Sequence, residues 1–202
     1  MSEKHIIGAE LEIEVRDKNG RLIEHRKQES KSFVKQFIDM LYGLFKADYV
    51  SSTQLNVTKI DGTAEAYPNL PSANSAVMSV SFGSEDDTGG IVVGDSDEAV
   101  QYDDYNLKSK IPHGSGSGQL SYGATIVEEP YKDGTEYKFR VFRTFTNNSG
   151  ASITVKEVGL VAWWKTKPTI QALLIRDVLA SPTSIPDGAT LTVRYYIKVS
   201  VP

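Results

Sequence analysis

Leu191-Thr192-Val193-Arg194-Tyr195-Tyr196-Ile197-Lys198-Val199-Ser200-Val201 alternates along its whole length. Leu191, Val193, Tyr195, Ile197, Val199 and Val201 fall on one side of it. A period of two is the signature of a strand, because successive side chains point to opposite faces of a sheet. One face of this segment is therefore expected to meet a core and the other to meet solvent.

The same pattern stands at the other end of the chain. Leu11, Ile13 and Val15 oppose Glu10, Glu12, Glu14 and Arg16. Asp17-Lys18-Asn19-Gly20 follows, a turn signal because Asn-Gly readily takes positive φ. Residues 21–26 are expected to return as the hairpin partner. Between the two ends, strand and turn signals recur every roughly eight to fifteen residues, the rhythm of a sandwich or barrel. Leu55, Val57 and Ile60 precede an Asp61-Gly62 turn. Further strands are expected over 77–82, 91–93 (closed by Gly94), 120–128, 153–164 and 173–179, with an edge strand over 106–111. A long aromatic strand carries Tyr137, Phe139, Val141, Phe142 and Phe145. Loops are expected at 67–71, 83–90, 95–104, 113–118, 131–134, 147–150 and 182–188.

One segment changes period. Phe33, Val34, Phe37, Ile38, Leu41, Leu44 and Phe45 recur at spacings of three and four. This predicts an amphipathic helix of about four turns over 32–46, capped by Ser30 or Ser32. Its few polar residues are mixed in sign, unlike the Lys/Arg-rich face of a membrane-surface helix. It reads as a plug over the open side of a β core. The fold expected is mainly β: one domain over 1–202, an antiparallel β-sandwich, with the jelly roll as a candidate form of it, with roughly eight to ten strands and one N-terminal amphipathic helix.

Composition narrows the function classes. The chain has 202 residues, 40% hydrophobic and 24% charged, with a formal net charge of -4 and a pI near 5.4. A mildly acidic balance argues against direct nucleic-acid binding, which calls for a basic patch or stripe. With no cysteine, disulfides, thiolate metal sites and cysteine catalysis are excluded. Neither a signal peptide nor an apolar run of the ~20 residues that span a bilayer is seen, so no membrane span is expected.

The search for chemistry returns little. His5, His25 and His113 stand at no metal-ligand spacing from one another. Gly114-Ser115-Gly116-Ser117-Gly118 lacks the Gly-x-Ser-x-Gly order of a nucleophile elbow and reads as a flexible loop. It is not a dinucleotide fingerprint, and no phosphate-binding loop occurs. The acidic loops are the remaining site candidates. Asp86, Asp87, Asp95 and Asp97 are the weak calcium ligands among them, since calcium takes six to eight oxygens, but their spacing fits no known calcium loop. A solvated charge cluster or an interface to a basic partner is the competing reading. A glycosidase carboxylate pair would also need such residues, yet no aromatic platform stands nearby in sequence. Trp163 and Trp164 are adjacent on an expected strand and so face opposite sides, which places one of them at a candidate interface with Tyr102 and Tyr105. The expectation is a non-enzyme without a cofactor.

Several stretches carry a resemblance. Ser32-Phe33-Val34-Lys35-Gln36-Phe37-Ile38 with Leu41-Tyr42, Gly90-Ile91-Val92-Val93-Gly94 with Tyr102-Asp103-Asp104-Tyr105-Asn106-Leu107, Val155-Lys156-Glu157-Val158-Gly159-Leu160, and Leu174-Ile175-Arg176-Asp177-Val178-Leu179 with Ile185-Pro186-Asp187-Gly188 are the residues concerned. They resemble stretches of β-sandwich structural proteins of bacterial and archaeal viruses. The resemblance implies a virion component (capsid, vertex, decoration or tail protein) that is made and assembled in the host cytoplasm. It implies self-association and contacts with other virion proteins as its partners. Residues 1–5 would then extend to a neighbour and add a strand to its sheet. The alternative is a carbohydrate- or receptor-binding sandwich that takes a host-surface glycan.

Overall fold

The computed structural model describes residues 6–30, 32–38, 56–66, 79–164 and 170–200. Twelve strands are formed among them: β1 (Ile6–Arg16), β2 (Leu22–Ser30), β3 (Asn56–Thr58), β4 (Ala64–Ala66), β5 (Gly90–Gly94), β6 (Ser121–Tyr122), β7 (Ile126–Val127), β8 (Tyr131–Asp133), β9 (Glu136–Thr146), β10 (Ile153–Trp164), β11 (Ile170–Ile185) and β12 (Thr190–Ser200). Every ladder between named strands is antiparallel.

The alternating segments at the two ends of the chain find each other. β1 pairs with β12 over its full length, Leu11 opposite Tyr195 and Ile13 opposite Val193. β2 and β9 flank this pair, and β6, β7 and β8 line the far edge of β9 in turn. On the inner face Leu11, Ile13, Val15, Leu191, Val193, Tyr195, Val141 and Phe145 are buried. Glu10, Glu12, Glu14, Lys27, Arg194 and Lys198 stand on the outer face in cross-strand ion pairs. This is the half-buried strand that a period of two specifies.

The second sheet runs β11-β10-β5. Tyr195 of the first sheet donates its hydroxyl to Asp177 Oδ2 at 3.0 Å and meets Val158 O at 3.4 Å, so the two sheets pack face to face. The other face of the second sheet is covered as well. Leu107 and Ile111 are buried, and a Cβ placed on Gly159 would lie 2.9 Å from Leu107 Cδ2. Residues 95–112 thus form a third layer. Burial on both faces explains why Ile91-Val92-Val93 and Val158-Gly159-Leu160-Val161-Ala162 do not alternate.

Several boundaries differ from expectation, each for a local reason. β11 extends to Ile185, through Pro182, where a loop was expected from 182. The pairing jumps from Glu157↔Val178 to Val155↔Thr183, so Pro182 sits in a bulge that asks for no ladder N–H. The expected strand 120–128 divides into β6 and β7 around Gly123, whose carbonyl accepts from Arg143 Nε at 2.7 Å. Residues 131–133, expected as a turn, form β8, and the turn falls at Gly134 with φ 59°. Of the edge strand expected at 106–111, one bridge forms, Lys110 to Gly94, and this segment covers the free edge of β5. Of 77–82, Ser79 and Phe82 make isolated bridges.

The helical turn begins later than Ser32. Phe33 bridges Ile175, and Val34 N–H donates to Leu174 O, so this stretch first serves as an edge to β11. Residues 35–38 then make one helical turn. The rest of the helix expected to 46, the loop at 67–71 and the arm 1–5 lie outside the described residues. No described helix is long and apolar enough to cross a membrane.

Candidate functional site

The acidic loops are joined to the core by two buried arginines. Arg143 lies on β9 with the inward parity of Val141 and Phe145, and it is fully buried. Its five N–H groups meet five backbone carbonyls: Nε donates to Gly123 O, Nη1 to Gly89 O and Ile91 O, and Nη2 to Gly83 O and Asp86 O. The rings of Tyr122 and Phe145 lie 4.7 and 6.0 Å from the guanidinium carbon. Burial pushes its pKa down to about 10, with Tyr122, Asp86 and Asp87 acting in the opposite direction. The cation is thus charged at neutral pH and solvated by carbonyl dipoles and ring faces. Loop 83–89 is wrapped around it, and Glu85 takes a left-handed φ of 69° with its N–H donating to Tyr122 O.

Arg176 performs the same task for the next loop. It projects from β11 into the outer layer and donates to Glu157 Oε2 and Asp104 Oδ2, at 2.8 and 2.9 Å, and to Glu98 O. Glu157 also accepts the N–H groups of Lys108 and Ser109. Burial pushes the Asp104 carboxyl up, but the Gln101 N–H, Lys108 and Arg176 outweigh it and hold the group below its usual range.

This pinned loop displays Tyr102 and Tyr105. Tyr102 is 76% exposed and Tyr105 is partly so. Asp104, buried between them, fixes their backbone. Trp163 is half-buried, packs edge-on against Phe82 at 6.3 Å, and keeps its indole N–H buried with no hydrogen-bond partner among the described residues. The Trp164 side chain lies outside the described residues.

The four aspartates considered for calcium are not brought together. Asp86 Oδ1 accepts the N–H and hydroxyl of Thr88. Asp87 accepts the His113 N–H and pairs with Lys110. Asp95 leads into the outer layer through its own N–H to Ser109 O. Asp97 pairs with Lys156, which holds its carboxyl below the usual range. Among the described residues no group of three or more His, Asp or Glu side chains is placed to hold a metal ion.

A second feature was not anticipated. An apolar cleft of 390 Å³ opens between the sheets, lined by Phe33, Phe37, Val80, Phe139, Leu174 and Ile197 among others, with Ser79 and Ser81 its polar contribution. Two residues along the same strands, the inner face of the first sheet continues as the row Ile7–Val199–Tyr137, all three exposed. The strand parity of these residues was legible. That the second sheet leaves them uncovered was not. The buried arginines did leave a trace, since Arg143, Glu157 and Arg176 interrupt otherwise apolar strand runs. Compared with known proteins, the chain matches no family model, no curated protein and no solved structure.

Proposed function

We propose that the chain is a non-enzymatic structural component of a virus particle, acting through self-association and contact with other virion proteins. The observation that supports this reading best is the exposed apolar row Ile7–Val199–Tyr137 beside the cleft, a surface that a neighbouring subunit can cover. The sequence resemblance points in the same direction and includes assembly in a host cytoplasm. The finer form of the fold belongs to the same proposal: a jelly roll, for which the pairing of first strand with last is favourable, and a helix continuing from the turn at 35–38.

Native mass by light scattering over a range of concentrations tests the reading. A discrete ring or pair that Val199→Glu returns to monomer supports it. A monomer at every concentration, and no incorporation into particles in the presence of the other virion proteins, overturns it. One observation favours a glycan- or receptor-binding module instead, namely the display of Tyr102 on a pinned loop. Binding to a glycan array that Tyr102→Ala abolishes would establish that alternative.

A further inference from the structure

His113 stands where three separate segments meet. Its backbone N–H donates to Asp87 Oδ2 at 2.8 Å, in loop 83–89. Its ring Nδ1 accepts the backbone N–H of Tyr122, at the end of β6, at 3.1 Å. The two rings meet edge to face at 6.2 Å. Between them runs the Gly/Ser segment 114–119, which is not a free loop. Gly114 N–H donates to Leu120 O, Leu120 N–H donates to Pro112 O, and Gln119 closes the tip through its side-chain oxygen and its N–H.

An imidazole nitrogen accepts a hydrogen bond only while it carries no proton. In the arrangement observed, Nδ1 is that nitrogen, so the neutral ring holds its proton on Nε2. Adding a proton places Nδ1–H against the Tyr122 N–H, donor against donor. The bond is then lost and a partly buried backbone donor loses its acceptor. We infer that His113 is a proton-sensitive latch: neutral, its ring closes the Gly/Ser segment onto the Tyr122 amide of β6, and protonated, it releases that amide.

The charged groups around the ring set the local field. From loop 83–89 comes the Asp87 carboxylate, which accepts the His113 backbone N–H. On the segment leading to His113 stands Lys110, paired with Asp87. From β6 comes the Tyr122 phenol, whose hydroxyl donates to Ile111 O at 2.6 Å. Behind it, from β9, the Arg143 cation lies over the Tyr122 ring. Burial pushes the Asp87 carboxyl up, but the His113 N–H and Lys110 outweigh it and hold it below the usual carboxylate range. Asp87 is therefore ionised at about pH 5 and above. His25, on β2, faces the Glu12 side of the first sheet and does not touch this corner.

The test is backbone amide exchange of Tyr122 and residues 114–121, corrected for the intrinsic rate, at about pH 7.5 and about pH 5. The ¹⁵N shifts of the His113 ring are read in the same samples. Protection of the Tyr122 amide is expected to fall by about ten-fold or more as the ring takes its proton, which is the loss of one net hydrogen bond. His113→Asn keeps an acceptor at that position without a titrating group, and its protection is expected to be the same at both pH values. A ring still neutral at about pH 5 overturns the latch. So does unchanged Tyr122 protection on a protonated ring, or the same loss in His113→Asn.

Discussion

Arg176 and Glu157 meet at 2.8 Å with both side chains wholly out of solvent. They project from adjacent strands, two residues off direct opposition and so on the same face, since Arg176 faces Gly159 and Glu157 faces Val178. Asp104 from the covering layer completes the arrangement on the other side of the guanidinium. The pair thus faces a layer made of loop, and it is the reason that Asp104 can be buried while the other acidic residues of the loop stay exposed.

Removing the cation leaves the buried Glu157 without its counter-charge and Asp104 with Lys108 alone. Arg176→Met is expected to cost about 3–5 kcal/mol, the usual result of breaking a buried pair from one side. Replacing Glu157 by Gln in the same chain should recover part of that loss, because one stranded charge is then gone. Urea unfolding of the single and double variants checks this, and an Arg176→Met protein as stable as the parent would refute it.

Arg143 supplies five donors to five carbonyls, and lysine has only three. Arg143→Lys is therefore expected to leave at least two carbonyls unsatisfied and to cost about 3 kcal/mol. Hydrogen exchange should rise first in residues 83–91, ahead of the β1–β12 ladder. Uniform loss across both sheets would count against a local anchor.

Gly94 is placed where no side chain fits. A Cβ there would lie 2.4 Å from Ser109 O and 2.5 Å from Glu157 Oε1. Gly94→Ala is expected to cost about 1–3 kcal/mol by over-packing and to loosen the segment 109–111 that caps β5. Thermal unfolding with exchange on Ile111, whose N–H donates to Val93 O, reads both effects.

Acid should unfold the protein from its carboxylates. Asp87, Asp104 and Glu12 are each pushed up by burial but held lower overall by their partners, for Glu12 the Tyr196 hydroxyl and then Arg194. A carboxyl whose native pKa lies below its unfolded value binds its proton first in the unfolded chain. The stability it contributes is complete above the unfolded pKa, about 4, and is lost as pH falls through the native value. In His113→Asn, where the latch is absent, urea midpoints are expected to hold from about pH 6 to about pH 5 and to fall steadily below about pH 4. Asp104→Asn should start less stable and show a shallower fall.

The alternating segments were legible because each lies at the edge between core and solvent. Residues 6–16 and 190–200 carry their sheet face in their own spelling, and the β1–β2 turn at Asn19-Gly20 follows from Gly20 taking φ 80°. The β5 and β10 segments were legible as apolar strands but not as a doubly covered sheet. Nothing within Gly90–Gly94 states what lies on either face. The acidic stretch 95–112 read as solvated, and Asp95, Asp97, Glu98 and Asp103 are exposed, but the burial of Asp104 depends on Arg176, some seventy residues later, which no local charge pattern states. Pro182 argued for a loop because a bulge is a property of two strands and not of one.

What the sequence determined by itself was the β class, the absence of thiol chemistry and the pairing potential of both chain ends, since these depend on periodicity and composition that each segment carries alone. What only the tertiary structure decided was the third layer, the two arginine anchors, the cleft and the His113 corner. Each joins residues far apart in the chain through hydrogen bonds and van der Waals contacts of a few ångströms. No local pattern encodes such distances, and they exist only once the sheets have closed on each other.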